Sequence, residues 1–93
     1  MKVLVTISKN VQKNLHKIPK HILILFDYWV EEIETEGFIS MQKINGYRDH
    51  ALIGNRKGQR SSYLTKSWRV IYKVNKNDDF FEVKVLEVNH HEY

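Results

Sequence analysis

The residue pattern predicts an α+β fold in the order β-α-α-β-β-β, with two N-terminal helices packed on one face of a small, mostly antiparallel sheet. Three observations predict it. Residues 2–7 (KVLVTI) alternate as a strand, residues 20–36 carry apolar side chains at offsets of three and four, and residues 59–74 hold two aromatic and β-branched runs split by a polar turn.

In residues 2–7, Val3 and Val5 share one face and Leu4 and Thr6 the other. Ser8 is placed to cap a helix over residues 9–17, because its hydroxyl can accept from an orphaned first-turn amide. Val11, Leu15 and Ile18 form the apolar stripe of that helix. Lys9, Lys13 and Lys17 follow one another at i, i+4 and i+8, either as a solvated face or as a contact for a phosphate backbone. Pro19 has no N–H to continue the first helix, and it suits the start of the next. That second helix spans residues 20–36, buries Ile22, Leu25, Phe26, Trp29 and Ile33, and stops at Gly37 in a left-handed conformation. Asp27, Glu31, Glu32, Glu34 and Glu36 crowd its outer face and C-terminal end, where the helix dipole disfavours acids. They form a solubilising face or a docking surface for a basic partner.

Residues 38–58 lack periodicity and contain Gly46, Gly54 and Gly58, so most of this stretch is expected to be loop, and a loop this long in a small domain is functional or mobile. It carries His50. A hairpin follows, with strands at 59–64 and 68–74 joined by Thr65-Lys66-Ser67. Trp68, Val70, Tyr72 and Val74 fall on its core face; Arg69, Ile71 and Lys73 fall on the other. Residues 75–79 (NKNDD) are a turn and 80–89 a last strand, in which Leu86 breaks the alternation of Phe81, Val83 and Val85 and signals a bulge. With both helices on one face of the sheet, the opposite face is left free, carrying Arg69 and Lys73.

Ninety-three residues make one domain with one modest core, and 42% hydrophobic with 28% charged residues is ordinary for a globular chain. The absence of cysteine excludes disulfides and thiolate metal sites. The longest apolar run, residues 22–26, is far short of the roughly 20 residues of a membrane span, and no apolar signal region follows Met1-Lys2. A cytoplasmic protein with no membrane partner is expected. Between residues 37 and 76 there are nine Lys/Arg against a single acid, Asp49, an excess larger than the formal +4 of the whole chain. Basic charge concentrated on the hairpin suits a polyanion, and nucleic acid best, unless it is simply a solvated face.

RNA cleavage without a metal needs a base for the 2′-OH, cations for the phosphate and an acid for the leaving 5′-oxygen. His50, His90 or His91 can serve as base or acid, Arg60 and Arg69 as a phosphate clamp, and Tyr63 and Tyr93 as stacking groups or proton donors. His16 and His21 read as surface residues, and Trp29 and Trp68 as core. No H-x-x-x-H spacing supports a zinc site, and GNRKG lacks the spacing and Ser/Thr of a nucleotide-binding loop, so neither metal nor cofactor is expected.

Residues 54–72, G-x-R-K-G-Q-R-S-x-x-L-x-x-x-W-R-V-I-Y, and 85–93, V-x-E-V-N-H-H-E-Y, resemble the RelE/ParE superfamily of bacterial toxins, nearest the RelE, YoeB and HigB-like mRNA endonuclease branch. The similarity covers nearly the whole length and implies a RelE-like domain over residues 1–93. It also implies a toxin that cuts mRNA in the ribosomal A site and is neutralised by a cognate antitoxin. On this resemblance Arg69 matches the arginine that stabilises the transferring phosphate. His50 falls where YoeB-like relatives place a glutamate base in an E-P-L-K segment; here the sequence is H-A-L-I-G. His91 and Tyr93 match the terminal His and aromatic residue, with His90 the register-shifted alternative. Tyr63 stands where many relatives have a cleft arginine (R-S-x-R-L), leaving Arg60 or Lys57 to supply that phosphate contact, and Lys57 and Lys73 bind backbone. The alternatives are a ParE-like inhibitor of DNA gyrase, which needs no acid/base set, and a non-catalytic module that docks an acidic protein segment.

Overall fold

The computed structural model describes residues 2–90. Strand β1 (Lys2–Ile7) leads into helix α1 (Lys9–Asn14), which ends in a 3-10 turn at Leu15–Lys17. Ser8 caps α1 as expected, its Oγ accepting from the Val11 amide at 3.2 Å. The expected single helix over 9–17 thus tightens in its last turn. Helix α2 (Lys20–Glu36) has the expected bounds, and the amides of Ile22 and Leu23 bond back to the Pro19 carbonyl at 3.0 and 3.1 Å.

Gly37 ends α2 with φ 96° and ψ 160°, a combination open only to glycine, and not the helical left-handed stop the sequence suggests. This backbone turns the chain directly into a short third helix, α3 (Phe38–Gln42), where a loop was expected. The rest of residues 38–58 also differs from expectation. A 3-10 turn at Asn45–Tyr47, a two-residue strand β2 (His50–Ala51) and a 3-10 turn at Gly54–Arg56 occupy half of it. Strands β3 (Arg60–Tyr63) and β4 (Trp68–Lys76) form the expected hairpin, β4 running two residues further than predicted, and β5 (Phe80–His90) completes the sheet.

The sheet order is β1-β5-β4-β3-β2, with β1 parallel to β5 and every other pairing antiparallel. Between β4 and β5 the register passes from Tyr72 opposite Val85 to Ile71 opposite Glu87, so Leu86 is the extra residue of a bulge, as its broken alternation indicates. The freed Leu86 carbonyl accepts from Ser8 Oγ at 3.2 Å, which ties the start of α1 to the bulge.

The helices cover one face of the sheet, called the inner face below. Trp29, fully buried, sits between Phe26 (ring centroids 5.8 Å apart) and Tyr72 (5.3 Å, edge-on). Val11, Ile33, Met41, Val70, Val83 and Val85 close around them. Burial of each large side chain contributes about 1.5–3 kcal/mol, and Trp29→Ala would cost about 3–5 kcal/mol. The other, outer face is not simply free: Ile71 lies on it at 1% exposure and Ser61 at 0%. Among the described residues no helix is long and apolar enough to cross a membrane.

Candidate functional site

Strand register decides which side chains meet on the outer face. Paired residues project to the same side. One row runs His50, Ser61, Ile71, Glu87, and the next runs Tyr63, Arg69, Asn89. The segment between β2 and β3 folds back over the first row: Arg56 Nη1 donates to Glu87 Oε2 at 2.6 Å and to Gln59 Oε1 at 3.2 Å. Asn89 donates to the other Glu87 oxygen at 2.7 Å. The Arg56 hydrogen bond, with the Arg56 and Arg69 charges behind it, holds the Glu87 carboxyl below its ordinary range.

Within this floor, Arg69 Nε and Ser61 Oγ are buried and have no hydrogen-bond partner among the described residues. A buried donor left unpaired costs about 1–3 kcal/mol, more for a charged group. Arg69 is only partly buried as a residue, so its guanidinium can meet an anion that offers acceptor oxygens, whereas Ser61 is fully buried.

His50 stands at the rim of the same face, exposed, with its ring 6.3 Å from that of Tyr63 at 67°. Its Nδ1 lies 2.9 Å from the Arg48 carbonyl oxygen. A carbonyl only accepts, so Nδ1 carries the proton and the neutral ring keeps its lone pair on Nε2, the arrangement a general base needs. Arg48 itself has φ 44° and ψ 41°, the one non-glycine residue with positive φ among those described. That left-handed backbone is uncommon outside glycine and has to be held by its surroundings.

Asp49, the next residue, holds it. Its side chain is fully buried on the inner face and accepts from Arg60 Nε at 2.7 Å, Ser62 Oγ at 2.6 Å and Tyr72 Oη at 2.6 Å. Gln42 Nε2 from α3 donates to Tyr72 Oη at 3.1 Å. Burial, reinforced by the bond to Asp49, pushes the Tyr72 phenol well above its ordinary value. For Arg60, burial alone would lower the pKa, but the Asp49 bond and charge outweigh it and hold the guanidinium above its ordinary value. With Asp49 turned in, Arg48 and His50 face out.

This network corrects the pairing of Arg60 with Arg69. Arg60 is opposite Tyr72 and Ser62 opposite Val70, so Arg60 belongs to the inner side and is committed to Asp49, while Arg69 projects outward. Tyr63 does join Arg69, directly across the strands. His90 pairs with Trp68 and packs edge-on against its ring at 5.4 Å, on the side opposite Arg69. Lys73 is on the outer face beyond Ile71, opposite Lys84, and Lys57 is exposed after the 3-10 turn that carries Arg56. His91 and Tyr93 lie outside the described residues. Sequence reasoning missed the roles of Asp49 and Arg56. Asp49 carried a signal, as the one acid in a strongly basic stretch.

A groove of about 520 Å³ continues the site past Tyr63, lined by Gly46, Arg48, Tyr63, Thr65 and Lys66. A second cavity, about 470 Å³, lies between β1 and the end of α2 and includes Glu34 and Glu36 in its lining. Among the described residues, His, Asp and Glu form no group of three or more able to hold a metal ion.

No family model matches the chain, and no curated protein matches it by sequence. Solved structures do match by shape. A chain of the E. coli DinJ-YafQ toxin-antitoxin complex superposes with a TM-score of 0.71 at 19% identity, covering 98% of this chain and 94% of that one. A chain of the YoeB-YefM complex from Staphylococcus aureus gives 0.69 at 17% identity, covering 99% and 100%. The YoeB/ParE toxin from Agrobacterium tumefaciens gives 0.65 at 14% identity, again covering 99% and 100%. The chain therefore has the RelE/ParE-type toxin fold over essentially its whole length.

Proposed function

We propose that this protein is the toxin of a type II toxin–antitoxin pair and an endoribonuclease that cuts mRNA on the ribosome without a metal ion. The observation that carries the proposal is the outer-face guanidinium of Arg69, its Nε without a hydrogen-bond partner among the described residues, on the same sheet face as a histidine two strands away whose Nε2 is available as a base. In the reaction, His50 Nε2 takes the proton of the 2′-OH, and that oxygen attacks the adjacent phosphorus. Arg69 binds the phosphate oxygens as negative charge builds on them. The bond to the 5′-oxygen breaks, His91 protonates that oxygen, and a cyclic phosphate remains on the upstream strand. Tyr93 positions a base or the leaving group, and Lys57 and Lys73 hold backbone. The toxin-fold neighbours solved in toxin-antitoxin complexes support a cognate antitoxin as partner.

The test is expression without antitoxin, with primer extension on a translated mRNA and gyrase supercoiling measured alongside. Wild type is expected to arrest growth and leave discrete mRNA cuts, and Arg69→Ala to lose about 10²–10³ in cleavage rate. For His50→Ala the expected loss is about 10²–10⁴. Arrest with intact mRNA and blocked supercoiling would instead make the protein a gyrase inhibitor. Normal growth with no cuts would make it a non-catalytic docking module.

A further inference from the structure

We infer that the groove lined by Gly46, Arg48, Tyr63, Thr65 and Lys66 is a second phosphate subsite, which takes the nucleotide adjacent to the one being cut in a single-stranded RNA. The inference rests on the nuclease reading and deepens it by naming residues that read the neighbouring unit of the substrate.

Three observations carry it. First, the groove shares a wall with the reaction site: Tyr63 lines it, stands directly opposite Arg69 in the sheet, and lies ring-to-ring with His50. Residues paired this way are only about 5 Å apart at their Cα atoms, so a strand whose scissile phosphate lies on Arg69 passes over Tyr63 within one nucleotide. Second, the lining has the chemistry of a nucleotide. Arg48 and Lys66 supply two cations for a phosphate, Tyr63 supplies a ring for stacking, and Gly46 leaves open space beside them. The volume of about 520 Å³ falls within the roughly 300–1,000 Å³ of small-molecule sites. Third, the backbone of Arg48 is held in its left-handed conformation by neighbours on both faces, the buried Asp49 and the His50 ring bonded to its carbonyl. Strain of this kind persists where surrounding structure fixes it, and here it aims one residue's side chain into the groove while its carbonyl sets the proton of the base. The cavity near Glu34 and Glu36 has the wrong charge for the same ligand.

The test uses the intact protein and ribosomes programmed with mRNAs in which one linkage, immediately 5′ or 3′ of the cut, is a neutral methylphosphonate. The protein variant is Arg48→Asn with Lys66→Gln; asparagine tolerates the left-handed backbone, so the fold is kept. Wild type is expected to cut one of the two modified mRNAs roughly tenfold more slowly, the size of one charge-assisted phosphate contact. The double variant should cut unmodified mRNA at that reduced rate and lose nothing more on the modified one. Tyr63→Ala should add a loss of roughly five- to 150-fold if a base stacks there. The inference is overturned if the double variant responds to the modified linkages as wild type does. It is equally overturned if the double variant cuts normally but no longer binds antitoxin, because the groove would then dock an acidic protein segment. Failure of wild type to cut any mRNA is a different result, and it would sink the nuclease reading itself.

Discussion

The two faces of the sheet treat buried polar groups in opposite ways. On the inner face Asp49 is surrounded by Arg60, Ser62 and Tyr72, with Gln42 completing the chain of bonds, and the Trp29 indole N–H is the one unpaired exception near it among the described residues. On the outer face Arg69 Nε and Ser61 Oγ are buried without partners among the described residues, one strand pair away. A saturated network stabilises a fold and has nothing left to give a ligand. Unpaired donors reduce stability until a ligand arrives, and they are the groups to suspect of chemistry. Within this basic stretch, Arg60 is therefore tied into the fold and Arg69 is the one left as a candidate for chemistry, although the sequence presents the two alike.

That contrast is open to attack from either side. The largest effect is expected at Asp49: Asp49→Ala strands a guanidinium and two hydroxyls and should cost about 4 kcal/mol of folding free energy, read from urea unfolding. A loss below 1 kcal/mol would mean that the inner network is not structural. Arg69→Ala should do the reverse, leaving the unfolding midpoint unchanged or slightly higher while its cleavage loss corresponds to about 3–4 kcal/mol of barrier. Tyr72→Phe removes one hydroxyl from the inner network and should cost about 2 kcal/mol with cleavage unchanged in the folded fraction.

The smallest effect belongs to Glu87, whose partner Arg56 is 45% exposed at its side chain. Glu87→Gln should change stability by less than about 1 kcal/mol. The Glu87 pKa is held below its ordinary 4.5 in the fold, so its contribution is present above pH 4.5 and is lost as pH falls through the lower, folded value. Glu82, lowered by hydrogen bonds from Thr6 and then Asn75, follows the same sign. Acid titration of wild type against Glu87→Gln, followed by tryptophan fluorescence, should show a shallower loss in the variant over that window.

The sequence shows some of this plainly and hides the rest for physical reasons. β1, α2, the hairpin and the Leu86 bulge are visible because each rests on a local rule, alternation, a helical stripe or a capping residue. α3 and β2 are not, since five residues and two residues are too short to display a period, and β2 is a strand only because β3 lies beside it. Arg69 on the outer face follows from strand parity alone. Applying the same parity to Arg60 through its pairing with Tyr72 would have needed the register, which depends on tertiary structure. Asp49 gathers partners 11, 13 and 23 positions away, and no window of sequence shows them together.

The parallel pairing of β1 with β5 has a consequence in time. Lys2 lies opposite Phe80 and Ile7 opposite Val85, so β1 finds no neighbour until nearly the whole polypeptide is available. β5 also supplies Glu87 and Asn89 to the floor around Arg69, so nascent chains stopped before β5 should lack that floor and leave β1 amides open to hydrogen exchange. Synthesis itself thus delays completion of the outer face until β5 is made.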